Sequence, residues 1–515
     1  MLIALTLVSA ATASSTTLVH CARRACKVVP SGSRAWTAKV SYNESVEAIG
    51  WGSIDVTSNA AEADEDQAFA AGFAESVVTL ARTIDHHKTF MEATFKGDNK
   101  SYAIAKYFVT KNDDFVRTQV TANKNASEWW RQLGLIWTQL DGLVAGHAHA
   151  GGALTHLDFL LMNAVVDLSS VIHKPFADPK QWTREAADAY LEKTTHCSAL
   201  VKLLPDYSDL YTAHNTWTAY YMMLRAAKKY TLPYKHTRAA TFTTSGYFGT
   251  LSSTDDFSVL SSGLVVQETT NALFNATLAA KIVPQTVLTW ARSLVANRLA
   301  SNGQEWTEHF VRENSGTINN QWMVVDYNKF TPYKDLPEGV LWIVEQLPLY
   351  TQAADVTSYL VNGHWPSYNR PFFPEVFNRS GARDMEDQFG DDYSYQLYSR
   401  AKIFRRDAGH VHDRAAMKAI MRYNDYQHDP YSLGKPENAI ASRADLNEKG
   451  KACCASGNID AKLASAADVK AVRFEGVSGP THETQPVFEW TADYASTPHY
   501  GQPQKFDFGW VMLFG

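Results

Sequence analysis

Helix-like and strand-like segments alternate irregularly along this chain, and this restricts the fold class more than any other feature. Apolar residues at helical spacing predict helices over 129–146, 217–230 and 284–300. Runs rich in β-branched and aromatic residues predict strands over 257–270, 322–327 and 340–344. A Pro-Glu-Gly turn between the last two suits a hairpin. Because the order lacks the regular βαβ alternation of a doubly wound sheet, we expect a mixed α+β sandwich.

The chain also lacks the signs of a modular protein. Its 515 residues contain no internal repeat, no low-complexity tract and no long Pro/Ser-rich linker, which predicts a single large domain. A net charge of −6 gives no electrostatic footprint for nucleic acid. No internal run of about 18 apolar residues predicts a transmembrane segment.

The amino terminus and the sequons indicate the secretory route. Residues 1–10 form a short apolar run that Ala11-Thr12-Ala13 follows. This run is too short to span a bilayer and predicts a signal peptide over residues 1–13. Asn-x-Ser/Thr sequons predict glycosylation at Asn43, Asn99, Asn125, Asn275 and Asn378. We therefore expect a secreted protein or one of a lysosome-like compartment.

Five cysteines single out one thiol. Cys21 and Cys26 form one close pair, and Cys453 and Cys454 form another. A Cys21–Cys26 disulfide suits a local loop, whereas a bond between the neighbours Cys453 and Cys454 would be strained, and three pairings of the four stay open. Cys197 is the odd thiol, and nucleophilic chemistry is the best reason for one in an exported chain.

Several common catalytic motifs do not occur. The sequence has no Gly-rich phosphate loop, no Gly-x-Ser-x-Gly elbow and no His-Glu-x-x-His helix. His147, His149 and His156 form the densest histidine cluster, but no acidic or cysteine ligand lies at a matching spacing. We expect ordinary histidines there and at His86-His87, with no metal and no cofactor.

The segment that begins at Cys197 resembles a known family. It has a Cys-Ser-Ala-Leu start, a Pro205-Asp206 turn and a His-Asn-Thr-Trp motif over 214–217. These motifs are similar to those of the phospholipase B-like family, also called the lamina-ancestor family. Further matching motifs lie at 251–257, 314–321, 344–348, 365–369, 400–407, 421–424, 478–481 and 506–508. The resemblance covers residues 190–510 and is loose before them.

This resemblance implies an N-terminal nucleophile (Ntn) hydrolase with a four-layer αββα sandwich. Such a chain is made as an inactive precursor that cuts itself before the nucleophile, here between His196 and Cys197. The fragment over residues 14–196 should then stay bound to the fragment over residues 197–515. The implied activity is deacylation of phospholipids by ester hydrolysis.

Two other functions stay open at this point. The same attack and oxyanion capture would serve an amidase acting on N-acyl lipids, amino acids or peptides. A processed lipid-binding protein with a weak site belongs to a different class. Turnover of a labelled phospholipid, as opposed to its retention, separates that class from the enzymes.

The chemistry assigns a role to each candidate residue. Cleavage gives Cys197 an α-amine, with an ordinary pKa of about 7.7–8.0, that can take the proton of its own thiol. Asn369 is the candidate oxyanion donor, because related bile-salt and penicillin acylases have an asparagine in a similar Asn-x-Pro context. A turn asparagine before a proline segment is the alternative.

Three further side chains complete the predicted site. His214 could orient the amine or bind a substrate carbonyl. Trp217 could donate its indole N–H, form the pocket wall or simply pack in the core. Arg400, or else Arg405, is the candidate cation for the thiolate, and a salt-bridge arginine is the alternative.

Overall fold

Two mainly antiparallel sheets form the centre of the molecule. The computed structural model describes residues 15–178, 181–195, 197–253, 257–447 and 455–515. The strands in these ranges are β1 (Ser15–Ala22), β2 (Ala25–Val29), β3 (Ala38–Asn43), β4 (Trp51–Ser58), β5 (Ser198–Leu203), β6 (Leu210–Ala219), β7 (Arg225–Thr231), β8 (Thr241–Tyr247), β9 (Phe257–Leu260), β10 (Leu264–Thr270), β11 (Asn320–Asp326), β12 (Leu341–Leu347), β13 (Tyr350–Asp355), β14 (His364–Ser367), β15 (Ser456–Ser465), β16 (Phe474–Ser478), β17 (Phe488–Glu489), β18 (Lys505–Phe506) and β19 (Val511–Leu513).

Helices connect and cover these strands. They are α1 (Val46–Ile49), α2 (Asp64–Val78), α3 (Leu80–Phe95), α4 (Asn99–Asn123), α5 (Glu128–His149), α6 (His156–Asn163), α7 (Val165–Ile172), α8 (Arg184–Thr194), α9 (Ala276–Ala279), α10 (Thr289–Leu299), α11 (Gly303–Phe310), α12 (Thr357–Leu360), α13 (Pro374–Arg379), α14 (Ala382–Phe389), α15 (Ser399–Asp407), α16 (Arg414–Met421) and α17 (Ala466–Ala471). The fold is therefore a mixed arrangement of helices and strands, as the sequence predicts.

The large sheet joins strands from distant parts of the chain. Its order is β13-β12-β11-β10-β9-β8-β7-β4-β3-β1-β2, and the smaller sheet has the order β14-β5-β6-β15-β16-β19. The ladder between β4 and β7 is parallel, with Trp51 opposite Arg225, and the other ladders of these two sheets are antiparallel. The first four strands are thus bonded to the later chain through β7.

Alternating side chains place the two sheets face to face. Val265 of β10 and Met323 of β11 pack in one core with Val201 of β5. Their neighbours Val266 and Trp322 belong to a second core that includes side chains of α2, α10 and α11. Because successive strand residues point to opposite faces, one face of the large sheet meets the small sheet and the other meets helices.

The small sheet is covered in the same way. Leu200 of β5 and Ala213 of β6 pack with Phe404 of α15 and Met417 of α16. Val201, the next residue of β5, belongs to the core between the sheets. Both faces of β5 are therefore buried, and Cys197 immediately precedes this strand.

The helices α2 and α5 approach each other closely through glycines. A Cβ at Gly142 would lie 2.1 Å from the Phe69 carbonyl oxygen, and one at Gly72 would lie 2.0 Å from the Gln139 oxygen. Real Cβ atoms do not approach backbone oxygens this closely, so the contact requires glycine at these positions.

Most of the predicted elements are confirmed. The helix over 129–146 lies within α5, and the strand over 257–270 is the pair β9 and β10. The predicted hairpin is the antiparallel pair β11–β12, with Trp322 opposite Val344. The helix expected over 284–300 begins only at Thr289, whose backbone N–H donates to Asp167 Oδ1 at 3.0 Å.

The predicted helix over 217–230 is wrong. Trp217 belongs to the end of β6, a short 3-10 turn over Tyr220–Met222 follows, and β7 begins at Arg225. β7 lies inside the large sheet between β4 and β8. The apolar run that suggested a helix covers residues 219–224, which form the end of β6, the 3-10 turn and the connection to β7. β7 itself buries the charged residues Arg225 and Lys228, whose ion-pair partners lie in distant parts of the chain.

Of the cysteine pairs, Cys21–Cys26 is a disulfide across the β1–β2 hairpin. Cys453 and Cys454 lie outside the described residues, as do residues 1–13 of the expected signal peptide. Among the residues that are described, no helix combines the length and the hydropathy needed to cross a membrane.

The sequons differ in exposure. Asn99, Asn125 and Asn378 are exposed, whereas Asn43 and Asn275 are half-buried. The Asn275 side chain caps α9 by accepting from the backbone N–H of Leu278 at 3.2 Å. Glycosylation stays a prediction at all five positions.

Candidate active site

Cys197 is a buried residue with an unusual backbone conformation. It is 1% exposed and takes no part in a disulfide. Its φ of +86° lies in a region that residues other than glycine rarely adopt. Such conformations concentrate at functional sites, where the surrounding structure enforces them. His196, on the other side of the predicted cleavage point, lies outside the described residues.

A carboxylate lies beside the thiol. Glu268 of β10 is 2% exposed, and its Oε1 lies 3.9 Å from Cys197 Sγ. Thr270 Oγ1 donates to Glu268 Oε2 at 3.4 Å. A carboxylate at this distance can accept the thiol proton, which makes Glu268 a member of the site that the sequence did not suggest.

His214 joins the same cluster. This fully buried residue of β6 lies opposite Ala199 of β5, and its Nε2 is 2.8 Å from the backbone oxygen of Glu268. Within the described part of the chain, Cys197, His214 and Glu268 are the one group of three side chains that could hold a metal ion. A thiolate, an imidazole and a carboxylate are also the groups that proton transfer requires.

Arg400 holds the backbone of Cys197. From α15, its Nη1 donates to the Cys197 carbonyl oxygen at 2.7 Å and to Ser198 Oγ at 2.9 Å. Its guanidinium stacks over the Trp217 ring with Cζ 4.1 Å from the ring centroid. The Arg400 guanidinium therefore fixes the position of the Cys197 main chain.

Asn369 lies on the other side of Arg400. Its Oδ1 accepts from Arg400 Nη2 at 2.6 Å, and its Nδ2 donates to the Thr270 oxygen at 2.7 Å. Its φ of +66° belongs to the left-handed region that asparagine tolerates better than most residues. These contacts determine which way the amide points, with its N–H₂ group towards β10.

Trp217 contributes a wall. Its indole Nε1 donates to the Ile440 oxygen at 3.2 Å, and the side chain lines the cavity that contains Cys197. Of the roles that the sequence left open, the pocket wall fits this arrangement, and the ring also supports Arg400.

Other predicted candidates lie elsewhere. Arg405 is exposed and donates to the Gln396 oxygen at 3.1 Å, so Arg400 is the arginine at the thiol. His156 Nε2 lies 3.2 Å from Asp113 Oδ2, and His86 Nδ1 lies 2.8 Å from the Phe248 oxygen. His147 is buried and packs edge-on against Phe159. The contacts of these three histidines are with a carboxylate, a backbone oxygen and an aromatic ring, and none of these contacts involves Cys197.

The cavity beside Cys197 has a volume of about 80 Å³. Much of its wall comes from residues that precede Cys197, including Val165, Ser169, Pro175, Tyr190 and Thr194. Pockets for drug-sized ligands usually measure about 300–1,000 Å³. In the uncut chain the cavity is therefore too small for a long acyl chain, and α7 and α8 limit its size.

A second buried carboxyl supports the asparagine loop. Glu345 of β12 accepts backbone hydrogen bonds from Phe372 at 2.7 Å and Phe373 at 3.2 Å, just after Asn369 in the chain. Burial raises its pKa to about 7, against the opposing effect of these bonds and of Gln321. Glu345 thus anchors the segment that carries Asn369.

The residues missed by sequence reasoning share one signal. Glu268 and Glu345 are charged residues inside strands that are otherwise buried, β10 and β12. A carboxyl group is rarely buried without a specific partner or function. This signal marks the two positions, but the contacts of Glu268 with Cys197 and of Glu345 with the Phe372 backbone depend on how distant parts of the chain pack.

Comparison with known proteins identifies one family that this chain resembles over most of its length. The family model described as Phospholipase B matches residues 38–513. The "Phospholipase B-like protein B" of Dictyostelium discoideum is 38% identical over 487 residues, covering 92% of this chain and 85% of that protein. The bovine "Phospholipase B-like 1" is 38% identical over 485 residues, covering 92% and 87%. The "Phospholipase B" of the snake Crotalus adamanteus is 36% identical over 489 residues, with the same coverage.

Proposed function

Because this chain belongs to the phospholipase B family, we propose that it is a self-processing hydrolase that deacylates phospholipids with Cys197 as its nucleophile. One observation carries the proposal. A buried thiol in a strained backbone conformation lies in a cavity wall, with a carboxylate, a histidine and an arginine-bound asparagine around it. A purely structural cysteine requires none of these neighbours.

Self-cleavage is the first step. Glu268 takes the proton of the Cys197 thiol, and the thiolate attacks the carbonyl carbon of residue 196. The C–N bond then breaks, the departing nitrogen receives the proton from Glu268, and a thioester links residue 196 to the sulfur. Water hydrolyses this thioester to a carboxylate and leaves Cys197 with an α-amine and a thiol.

Turnover uses the newly formed amine. The α-amine takes the thiol proton, and the thiolate attacks the ester carbonyl of the substrate. We assign the Asn369 amide Nδ2 as the donor to the oxyanion, and its hydrogen bond to the Thr270 backbone oxygen fixes the orientation of the amide. The leaving alkoxide receives the proton from the ammonium group, and water then releases the fatty acid from the thioester.

The proposal extends to the fold and to the two fragments. Helices against the large sheet, the small sheet and further helices support an Ntn-type αββα sandwich. Residues 14–196 and 197–515 would stay associated after the cut because β4 pairs with β7 over seven residues. The buried ion pair between Glu75 and Lys228, at 2.7 Å, adds a second link between the fragments.

The segment before Cys197 has to move for substrate to enter. Its helix α8 supplies Tyr190 and Thr194 to the wall of a cavity of about 80 Å³. After cleavage the new carboxyl end of α8 is no longer tethered to Cys197. We propose that displacement or trimming of this segment opens the acyl site.

Intact-mass analysis and N-terminal sequencing of the purified protein test the proposal. Wild type should give a fragment that begins at Cys197, and Cys197→Ala should remain one chain. The processed protein should release fatty acid from a labelled phospholipid, while Cys197→Ala should not. A wild-type chain that stays uncut, even after acidification, would contradict the proposed mechanism and favour a lipid-binding protein.

Export is tested on the same sample. We propose that the chain enters the secretory pathway, loses residues 1–13 and carries glycans, which the exposed sequons and the Cys21–Cys26 disulfide support. Expression in a secreting eukaryotic host should give a mature start near residue 14 and a mass that falls on deglycosylation. An amino terminus at Met1 with no glycan mass would contradict it.

A further inference from the structure

Two buried asparagines line the cavity beside Cys197 with amide atoms that lack protein partners. Asn271 is 4% exposed and Asn319 is 3% exposed. Within the described part of the chain, Oδ1 of each residue and Nδ2 of Asn271 make no hydrogen bond. Buried amide atoms are nearly always hydrogen-bonded in native proteins, so such atoms mark the place of a ligand or an ordered water.

The two side chains are held together and next to the reaction centre. The backbone N–H of Asn271 donates to the backbone carbonyl oxygen of Asn319 at 2.9 Å. The residue before Asn271 is Thr270, and its backbone carbonyl oxygen accepts from Nδ2 of the candidate oxyanion donor Asn369. A group bound by the two asparagines would therefore lie close to the scissile carbonyl of a substrate.

The remaining hydrogen-bonding capacity is mainly that of an acceptor. The Asn271 Nδ2 is directed towards the Glu345 carboxyl, although no hydrogen bond of normal geometry forms. The two Oδ1 atoms are left as neutral acceptors, and an acceptor requires an O–H or N–H from its ligand. A phosphate or a second ester group would present only oxygen acceptors and would leave them unsatisfied.

We propose that Asn271 and Asn319 form a subsite for a hydrogen-bond donor that the substrate carries next to its scissile carbonyl. The inference rests on the proposed function for the identity of the scissile bond. A diacyl glycerophospholipid has no donor at the neighbouring carbon, whereas a monoacyl one has a hydroxyl there and an acyl amide has its N–H. The site therefore prefers monoacyl lipids or acyl amides to diacyl phospholipids.

Removal of one hydroxyl hydrogen from the substrate tests the subsite in the wild-type processed enzyme. We compare kcat/KM for a short-chain, monomeric 1-acyl lysophosphatidylcholine and for its 2-O-methyl ether, which has the same charge and the same ester. An unsatisfied buried acceptor costs about 1–3 kcal/mol, so methylation should lower kcat/KM about 10–100-fold. Equal rates for the two compounds would overturn the inference.

Variants assign the effect to the two asparagines. Asn271→Leu and Asn319→Leu each remove one acceptor. In these variants the ratio of kcat/KM for the hydroxyl compound to kcat/KM for its methyl ether should fall towards one. Thr218 lines the same cavity, and Thr218→Val should retain the wild-type ratio of the two kcat/KM values. If the leucine variants keep the wild-type penalty, these asparagines do not form the subsite.

Two further pairs of compounds extend the test. The first shows whether the donor is a hydroxyl or an amide N–H, and the second tests the subsite independently of the proposed hydrolysis. An N-acyl amino acid and its N-methyl form report whether the donor is an amide N–H. The non-hydrolysable 1-O-alkyl lysophosphatidylcholine and its 2-O-methyl ether give a ratio of dissociation constants even without turnover. A roughly 10-fold or larger binding preference for the hydroxyl compound with no hydrolysis would support the subsite and reject the proposed reaction. Equal binding together with hydrolysis would do the reverse.

Discussion

The guanidinium of Arg400 donates a hydrogen bond of 2.6 Å to Asn369 Oδ1, so the cation and the proposed oxyanion donor form one unit. The same guanidinium holds the Cys197 carbonyl oxygen at 2.7 Å. The nucleophile, the cation and the amide are therefore connected through a single side chain, and substitutions at these positions should have coupled effects.

Asn369→Asp should remove the proposed oxyanion donor together with the hydrogen bond to the Thr270 backbone oxygen, so the fold of the variant is checked by circular dichroism before its kinetics are compared. Aspartate has nearly the same shape, tolerates the positive φ and can still accept from Arg400. Loss of one oxyanion donor typically lowers kcat about 10²–10³-fold. Steady-state kinetics on the processed protein measure this, and a kcat within about twofold of wild type would reject the assignment.

Arg400→Lys should impair catalysis although the charge is kept. Lysine has no planar fork, so it cannot bind the Cys197 oxygen, Ser198 and Asn369 together. Loss of hydrogen bonds to a charged group predicts a fall in kcat/KM of about 10–100-fold. Arg405→Lys on the exposed side of α15 is the matched control and should behave as wild type.

Glu268→Gln should strongly slow self-cleavage and leave the fold unchanged. The amide keeps the size of the carboxyl group but cannot accept the thiol proton at 3.9 Å. General base catalysis contributes about 10²–10⁴-fold, so the precursor should persist for correspondingly longer. Time-resolved mass analysis measures the rate, and Thr270→Val, which removes only a 3.4 Å contact to the carboxylate, should still cut.

The free energy of unfolding of Glu345→Gln, relative to that of the wild type, should increase as pH rises. The Glu345 pKa is raised from 4.5 to about 7 by burial, so the folded state keeps a proton that the unfolded state has lost. The wild type therefore loses stability between pH 4.5 and 7, by about 3 kcal/mol at about 1.4 kcal/mol per pKa unit.

The glutamine variant does not titrate at this position and should lack that loss. Its stability relative to the protein with Glu345, measured by denaturant unfolding at a series of pH values with both proteins in the uncut Cys197→Ala background, should increase from pH 4.5 to 8. The exposed Glu338→Gln is the control. A difference between Glu345→Gln and wild type that does not change with pH would show that the buried carboxyl is not the titrating group.

Gly142→Ala should destabilise the fold far from the site. The new Cβ would lie 2.1 Å from the Phe69 oxygen, and neither helix backbone can yield easily. Overpacking of this kind costs about 1–3 kcal/mol, which corresponds to a Tm lower by about 1–3 °C in a chain of this size. Gly409→Ala, where a Cβ meets nothing within 4 Å, is the control. Calorimetric scans of both variants decide the matter.

Sequence reasoning was most successful where local pattern decides the structure. The pair β9–β10 and the hairpin β11–β12 have turn residues between β-rich runs, and α5 has a continuous helical period. The helix predicted over 217–230 is wrong because the apolar residues 219–224 form a turn and a connection, and the strand that follows buries Arg225 and Lys228. Its pairing with β4, which lies far away in the chain, could not be read from the segment itself.

The site shows the same division. Cys197, Arg400 and Asn369 could be named from motifs, and they do meet around one thiol. Glu268 could not, because a single glutamate in a Val/Thr-rich strand does not reveal which residue lies opposite in space. Contacts such as that between β10 and the residue preceding β5 arise from packing of two sheets, which no local pattern specifies.

The parallel pairing of β4 with β7 has a consequence for whether the cut protein can refold. A chain that cuts itself at Cys197 keeps one sheet built from two polypeptides, four strands from the first and seven from the second. Each piece alone would expose a long sheet edge, which invites aggregation. Folding would then happen only once, in the intact chain, and the mature protein would persist because it unfolds slowly, with no way back after denaturation.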